Sequence, residues 1–398
     1  MYTDHELKAV NPAFNPIVIG VVSDPAIREL PDFKFLVEIF DEDNNLLSSS
    51  KKVSKMDGGY TLIDVSGTIK RSYRFDLIEQ GNALMAGNTS EFIYQNDHLV
   101  RNYTIEISEW YDGVAHATEA FNVKTIPAAL PSIRFSQYWN EYDNDLITGK
   151  WLTNFDRIRV RKNDESFAAY LVPPGGMTGF DYKFYDFSGN EIHSGNNPVV
   201  IPLIGGNKVL HVRTSLAGAA LAAGLSDTAV IDAVSYFIIS DDVTGKTITV
   251  NVIPSDCRFP GIRILFMNEW GITDSFIFSL AHRRGVNIQK KKAQLRTDQI
   301  FKDVFTSYLV KFTDNFKITS NFISDNDSTA LLELFTSPIV KLECIAKIFY
   351  PAQSPGEIVT LPAEIDLTSY DVKQSNVNKL FNIELEVKIS VENTRQTL

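Results

Sequence analysis

The feature that most constrains the fold is strict alternation of apolar and polar residues, which is clearest from residue 381 to residue 392. The odd positions of this stretch are apolar and the even positions are polar or charged. Because successive side chains of a strand point to opposite faces, this period predicts a strand of about 11 residues with one face on a core. The apolar positions are Phe381, Ile383, Leu385, Val387, Ile389 and Val391.

A second alternating stretch, Phe259 to Lys292, predicts a hairpin that joins two β-like parts of the chain. Apolar residues occupy even positions on both sides of a turn at Asn268 to Thr273. This pattern places one face of each strand on a core and the other towards solvent or a partner. The apolar even positions are Ile262, Ile264, Phe266, Phe276, Phe278, Leu280, Val286 and Ile288.

Short alternating runs separated by turn residues also fill the first 110 or so positions. Phe33 to Phe40 alternates and ends at the polar turn Asp41 to Asn45, and Tyr103 to Ser108 alternates before the turn at Asp112. Strands with turns at this spacing predict a β-sandwich of the immunoglobulin or fibronectin type III kind.

The length of 398 residues predicts about two to four domains, and we expect three. The first, residues 1–125, has an N-terminal arm at residues 1–16 and a β-sandwich. The second β-sandwich spans residues 126–257 and begins with a Pro-containing linker, Ile126 to Pro131. A C-terminal β-rich assembly domain, residues 258–398, includes one short helix. The expected fold class is therefore mainly β.

That helix is predicted by a change of period after residue 323. Ser324 to Asp327 offers capping side chains, and Pro338 helps to end the element. The Ala-rich and Gly-rich stretch 216–225 lacks the spacing of a phosphate-binding loop, so we expect a small-residue loop or a tightly packed short helix there.

The charge balance argues against a general nucleic-acid binder. A formal net charge of −11 leaves no overall surplus of Lys and Arg to neutralise phosphates. The N-terminal residues have no basic and apolar signal pattern, and no window approaches 18 apolar residues. We therefore expect neither a secretion signal nor a membrane span, and expect assembly in a cytoplasm.

Catalytic, cofactor and metal patterns are absent from the sequence. The six histidines lack metal-ligand spacing, and no nucleophile elbow is present. Cys257 and Cys344 are expected to be buried thiols, with a mutual disulfide as the alternative. The acidic loops are expected to be solvated turns, with Ca²⁺ binding as the alternative. They are Asp41 to Asn45, Asp143 to Asp145 and Asp325 to Asp327.

One basic cluster stands out in this acidic chain. It forms either a charged strand end that discourages edge pairing or an interface for an acidic partner or nucleic acid. We also expect the outward faces of the strands around Phe276 and Phe381 to contact other molecules, since aromatic residues anchor interfaces. The cluster is Arg283, Arg284, Lys290, Lys291 and Lys292.

Four blocks of sequence in order resemble a family of tail or baseplate-associated virion proteins of phages that infect Bacteroidetes. The blocks are FKFLVEIFDEDNN with GGYTLIDVSGTIK, RILFMNEWGITDSFIFSL with VNIQKKKAQ, NFISDNDSTALLELFTSPIVKLE, and NKLFNIELEVKISVENTRQ. The resemblance implies a structural role without catalysis, in which the C-terminal domain packs into a ring or onto a tail end.

The expected partners are accordingly other tail or virion proteins and further copies of the chain. The alternative is a host-surface or glycan-binding sandwich with a groove lined by exposed aromatics such as Trp110, Trp139 and Trp151.

Overall fold

The computed structural model describes most of the chain and divides it into two compact units. The first unit comprises Met1–Thr153, Asn163–Val250 and Glu269–Ile272, and the second comprises Asn154–Lys162, Asn251–Asn268 and Thr273–Leu398. The described residues are 2–5, 7–54, 59–73, 93–96, 98–132, 135, 149–162, 164–173, 175–198, 208–254, 261–280, 282–294, 305–345, 358–365, 382–390 and 393–394.

Strands dominate the described residues, which confirms the mainly β prediction. The strands are β1 (Tyr2–His5), β2 (Asn11–Pro12), β3 (Val18–Val22), β4 (Lys34–Phe40), β5 (Leu46–Val53), β6 (Thr61–Asp64), β7 (Ile93–Gln95), β8 (Arg101–Tyr111), β9 (Val114–Ile126), β10 (Lys150–Trp151), β11 (Arg157–Arg161), β12 (Phe167–Leu171), β13 (Gly179–Tyr185), β14 (Glu191–Pro198), β15 (Val209–Arg213), β16 (Tyr236–Asp241), β17 (Thr247–Ile253), β18 (Ile262–Met267), β19 (Thr273–Phe278), β20 (Arg283–Gln294), β21 (Phe305–Thr319), β22 (Val340–Ile345), β23 (Ile358–Ile365), β24 (Glu384–Ile389) and β25 (Asn393–Thr394). The helices are α1 (Pro25–Arg28), α2 (Ser66–Ser72), α3 (Leu216–Ala222), α4 (Thr228–Ala233), α5 (Asp325–Ala330) and α6 (Leu332–Thr336).

The first unit begins with a β-sandwich made of two sheets. One sheet has the strand order β1–β3–β6 and the other has the order β2–β9–β8–β4–β5. The pairs are antiparallel apart from β2, which runs parallel to β9. Phe35, Val37 and Ile39 alternate on β4 and are buried, as the period-two pattern requires.

A second sandwich in the same unit repeats this arrangement. One sheet runs β10–β12–β15–β7, and the other includes the four neighbouring strands β17–β16–β13–β14 in that order. A short helix follows the third strand of the smaller sheet in both sandwiches, α2 after β6 and α3 after β15. The prediction of tandem β-sandwiches is therefore confirmed. α3 also confirms the tightly packed short helix, since Gly218 and Ala219 are buried in it.

One strand of the second sandwich comes from the part of the sequence that forms the first sandwich. β7 lies between β6 and β8 in the chain, yet it pairs with β15 through Ile93↔Val212, Tyr94↔His211 and Gln95↔Leu210. The first compact unit includes residues 1–153 and 163–250, and so takes in most of both predicted N-terminal domains, whereas residues 154–162 and 251–257 belong to the second unit.

The predicted linker at residues 126–131 lies outside helices and strands after Ile126, and it is partly buried. Ala128 is fully buried, and the Asn15 side chain accepts a hydrogen bond from the Leu130 backbone and donates one back, both at 2.8 Å. The backbone of Ala13 also donates to the Ile126 carbonyl. Arm and linker are therefore packed together, because contacts distant in sequence outweigh the local Pro signal.

The hairpin turns after β4 and β13 are built in the same way. Asp41 Oδ1 accepts from the Asn45 backbone at 2.8 Å, and Asp186 Oδ1 accepts from the Asn190 backbone at 2.8 Å. Each Asn side chain donates to the second oxygen of its Asp. These hydrogen bonds hold the pKa of Asp41 and of Asp186 below the ordinary value. Asp41 to Asn45 thus has the geometry of a self-contained solvated turn.

The second unit is organised around one sheet with the order β19–β18–β22–β23–β24–β21–β20, in which β25 also pairs with β21. The sheet buries one face of β24: Leu385 and Val387 are in the core, whereas Glu384 and Glu386 are exposed. This alternation was predicted. The turn between β18 and β19 also falls within the predicted Asn268 to Thr273.

Two short helices pack on this core where one was predicted. Ser324 accepts from the Asp327 backbone at 3.2 Å, and Asp327 accepts from the Ser324 backbone at 3.2 Å, which forms a reciprocal capping box. Leu331, which is fully buried, lies between the two helices as the C-terminal cap of α5 and the N-terminal cap of α6. The predicted capping residues therefore start the helical segment.

Candidate interaction surface

Strand β20 lies at the end of the sheet in the second unit. It pairs with β21 from Arg283↔Lys317 to Gln294↔Phe305, with a register shift between Lys291 and Lys292. Among the described strands, its other edge carries no partner. A strand of 12 residues extends about 40 Å, so a long row of backbone groups is available for contact.

The five predicted basic residues all lie on β20 and are all exposed. We call the segment Arg283–Lys292 the β20 edge. Arg284 forms an ion pair of 2.7 Å with Asp314, whose side chain is 7% exposed. This pair ties one end of the segment to β21. Lys290 to Lys292 form a run of three cations at the other end.

Two exposed apolar side chains lie between the basic ends. Val286 is 45% exposed and Ile288 is 58% exposed. Their register partners on β21 are Asp314 and Phe312, while Arg284 is opposite the core residue Phe316. Because every second residue shares a face, Val286 and Ile288 continue the core face of the sheet into solvent. The β20 edge therefore combines an apolar centre with cationic ends.

Phe276 is not part of any exposed surface, which corrects its prediction as an interface residue. Its side chain is 2% exposed in the core of the second unit, and its ring centroid lies 5.2 Å from that of Phe278 and 5.8 Å from that of Phe155. Ile277, on the other face of β19, is 1% exposed. β19 is thus buried on both faces. Phe381, the second predicted aromatic anchor, lies outside the described residues.

The polar face of β18 is also buried, through an ion pair that the sequence pattern did not indicate. Arg263 and Glu343 are opposite each other in the register of β18 and β22, and their side chains approach to 2.7 Å. Both are almost fully buried. A second pair, Arg159 to Asp327 at 2.6 Å, joins β11 to the capping box of α5. These pairs satisfy charges inside the fold.

The aromatic residues of the alternative function occupy different environments. Trp151 is 7% exposed, and its ring packs against Tyr170 and Phe180, so it cannot line an open groove. Trp110 is half-buried, and Lys51 Nζ lies 3.4 Å from its ring centroid. Trp139 lies outside the described residues.

Burial shifts the pKa of two titratable side chains that lie in the cores. Burial raises the pKa of the Cys344 thiol to about 12, with the charge of Glu343 acting in the same direction. Cys344 is a free, buried thiol, as expected, and Cys257 lies outside the described residues. Burial lowers the pKa of His211 to about 4.

Within the part of the chain that the structure describes, no group of three or more His, Cys, Asp or Glu side chains is placed to hold a metal ion. The loop Asp143 to Asp145 falls outside that part. The described helices include none that is long and apolar enough to span a bilayer.

Comparisons with known proteins assign the chain to no family. No family model and no curated protein matches the chain. Among solved structures, it is similar to the ectodomain of the teleost fish polymeric immunoglobulin receptor, with 6% identity and a TM-score of 0.20. The match covers 64% of this chain and 98% of that chain. A likeness of this size carries no argument about function.

Proposed function

We propose that the protein is a structural component of a phage virion, in the tail, baseplate or collar, that acts through protein–protein interfaces in a symmetric ring. Its partners are further copies of the chain and other virion proteins, and its location is the virion after assembly in the host cytoplasm. The proposal rests on the ordered sequence blocks that resemble tail and baseplate proteins. The single structural observation that supports it is the exposed β20 edge.

The chemistry of that edge is typical of a contact surface. The exposed apolar side chains Val286 and Ile288 lose water on association, whereas the flanking cations select an acidic surface. Cores of interfaces are depleted in charge and their rims are polar, which is the distribution along β20.

The alternative is a glycan-binding or host-surface module, and one observation favours it. Tyr111 and His116 stack at the turn between β8 and β9, with ring centroids 3.6 Å apart and planes 5° apart, next to Trp110. Exposed aromatic rings at a sandwich end can stack on sugars. However, Lys51 covers one face of Trp110, and His116 covers one face of Tyr111, so the free aromatic area is small.

Two measurements on the full chain separate these functions. Negative-stain electron microscopy is expected to show closed rings, and a glycan array is expected to show no binding. The virion proposal is contradicted by a monomer that binds a defined glycan and loses that binding in Tyr111→Ala. Trp151→Phe is the matched control, because that ring is buried and cannot contact a glycan, so glycan binding should not change.

A further inference from the structure

We propose that the β20 edge docks against an acidic surface of a second copy of this chain, in a head-to-tail contact. This inference rests on the proposed ring assembly and names the surface that would form it. In such a contact, one patch of each copy binds a different patch of the next copy. An interface of this type forms a ring when the rotation between copies closes.

The charge distribution points to the same chain as the occupant. β20 reads RRGVNIQKKKAQ, with five cations and no acidic residue. The whole chain has 38 basic and 49 acidic residues, so removing the five cations of β20 leaves 33 basic residues and a charge of −16 on the rest. Another copy therefore presents a net acidic body to the basic strand β20, and opposite potentials favour docking.

Two copies of β20 cannot pair with each other well. In an antiparallel pair with a two-fold axis at Asn287, the numbering of β20 places Arg283 opposite Lys291 and Arg284 opposite Lys290. Like charges directly opposite each other on neighbouring strands are destabilising. The lysines thus disfavour symmetric edge pairing in this register, and an asymmetric contact with an acidic surface avoids this repulsion.

The exposed apolar side chains indicate a contact that depends on more than charge. The apolar centre of the β20 edge is more than two-fifths exposed at both Val286 and Ile288. A second copy that covers these side chains removes apolar area from water, which purely electrostatic attraction would not require. Contact should therefore depend on both the lysines and Ile288.

The test is the mass distribution of the full chain in solution, measured by sedimentation velocity at about 0.01 M and about 1 M NaCl. Wild-type protein is expected to form oligomers that weaken at high salt. Lys290→Glu/Lys291→Glu/Lys292→Glu is expected to raise the dissociation constant about 10-fold to 100-fold, since each exposed charge pair contributes modestly. Ile288→Asn is expected to raise it about tenfold.

The matched control is Lys52→Glu/Lys70→Glu/Arg71→Glu, which changes the net charge equally at exposed positions of the first sandwich. This variant should assemble like wild type. Equal loss in the control would show a nonspecific charge effect and overturn the inference. If wild type forms oligomers and no β20 substitution changes the dissociation constant, the inference is overturned but the ring function is not. If wild type is a monomer at both salt concentrations, both are overturned. Melting curves confirm folding, and if Ile288→Asn fails to fold, the charge-reversal variant decides alone.

Discussion

Replacement of Phe276 by Ala tests whether this residue belongs to the core or to an interface. The side chain is 2% exposed and packs against the rings of Phe155 and Phe278 within the second unit. Removing a buried Phe side chain costs about 3–5 kcal/mol, because transfer free energy is lost and a cavity remains. For a unit of this size, the loss corresponds to a melting temperature about 6–20 °C lower.

The assay is calorimetry of the full chain, with hydrogen exchange of the β18 and β22 amides to assign the transition to the second unit. Phe322→Ala is the matched control in the same unit, since Phe322 is 62% exposed and its loss should cost less than about 0.5 kcal/mol. A Phe276→Ala protein that melts like wild type but fails to oligomerise would refute the core assignment.

Three further predictions concern buried and capping groups. Glu343→Ala should destabilise the protein by about 3–5 kcal/mol in urea unfolding, because the buried guanidinium of Arg263 loses the carboxylate 2.7 Å away, whereas Arg263→Met/Glu343→Leu should be nearly neutral; equal losses would contradict this. Burial lowers the pKa of His211 from its ordinary value of 6.5 to about 4 in the folded protein, so the unfolded chain binds a proton at a higher pH than the folded chain does. Stability is therefore lost as the pH falls from 6.5 towards 4. His211→Gln should reduce this dependence of the melting temperature on pH. Ser324→Ala should lower stability by about 1 kcal/mol by removing the cap, and an unchanged urea midpoint would argue against it.

The sequence predicts elements well where a local pattern and the final environment agree. β24 has its odd residues buried and its even residues exposed, because one sheet face is covered and the other is open. The capping residues from Ser324 likewise act within one turn of the helix they start. Such features require only neighbours in the chain, so a period or a cap is sufficient to find them.

The sequence does not show which strands are buried on both faces. Asp274 and Ile277 on β19 are buried as well as Phe276, and β11, more than 100 residues earlier, contacts β19. The same limitation applies to Arg263, whose partner Glu343 is 80 residues away. Alternation identifies two faces of a strand, but only the packed fold decides how many of them meet other elements.

The sequence predicts the basic part of the β20 edge but not its exposed apolar part. The five basic residues are close together in the chain, so their placement on one strand follows from local pattern. Val286 and Ile288 continue an apolar alternation that predicts burial, yet they are exposed because the sheet ends at β20. The edge position of a strand depends on the order of strands in the sheet, which no local period encodes.

The pairing of β7 with β15 has a consequence for how the chain emerges from the ribosome and how it can be divided. Asn96, next to β7, contacts His211 across 115 residues of sequence, so β7 must wait for β15 to be synthesised before its place in the sheet exists. A fragment that starts after residue 126 would keep β12 and β15 but lack Ile93–Gln95. Its β15 would then present an uncovered strand edge, which is a template for aggregation. Expression of the second sandwich in isolation should therefore include residues 93–95, supplied in cis or as a peptide.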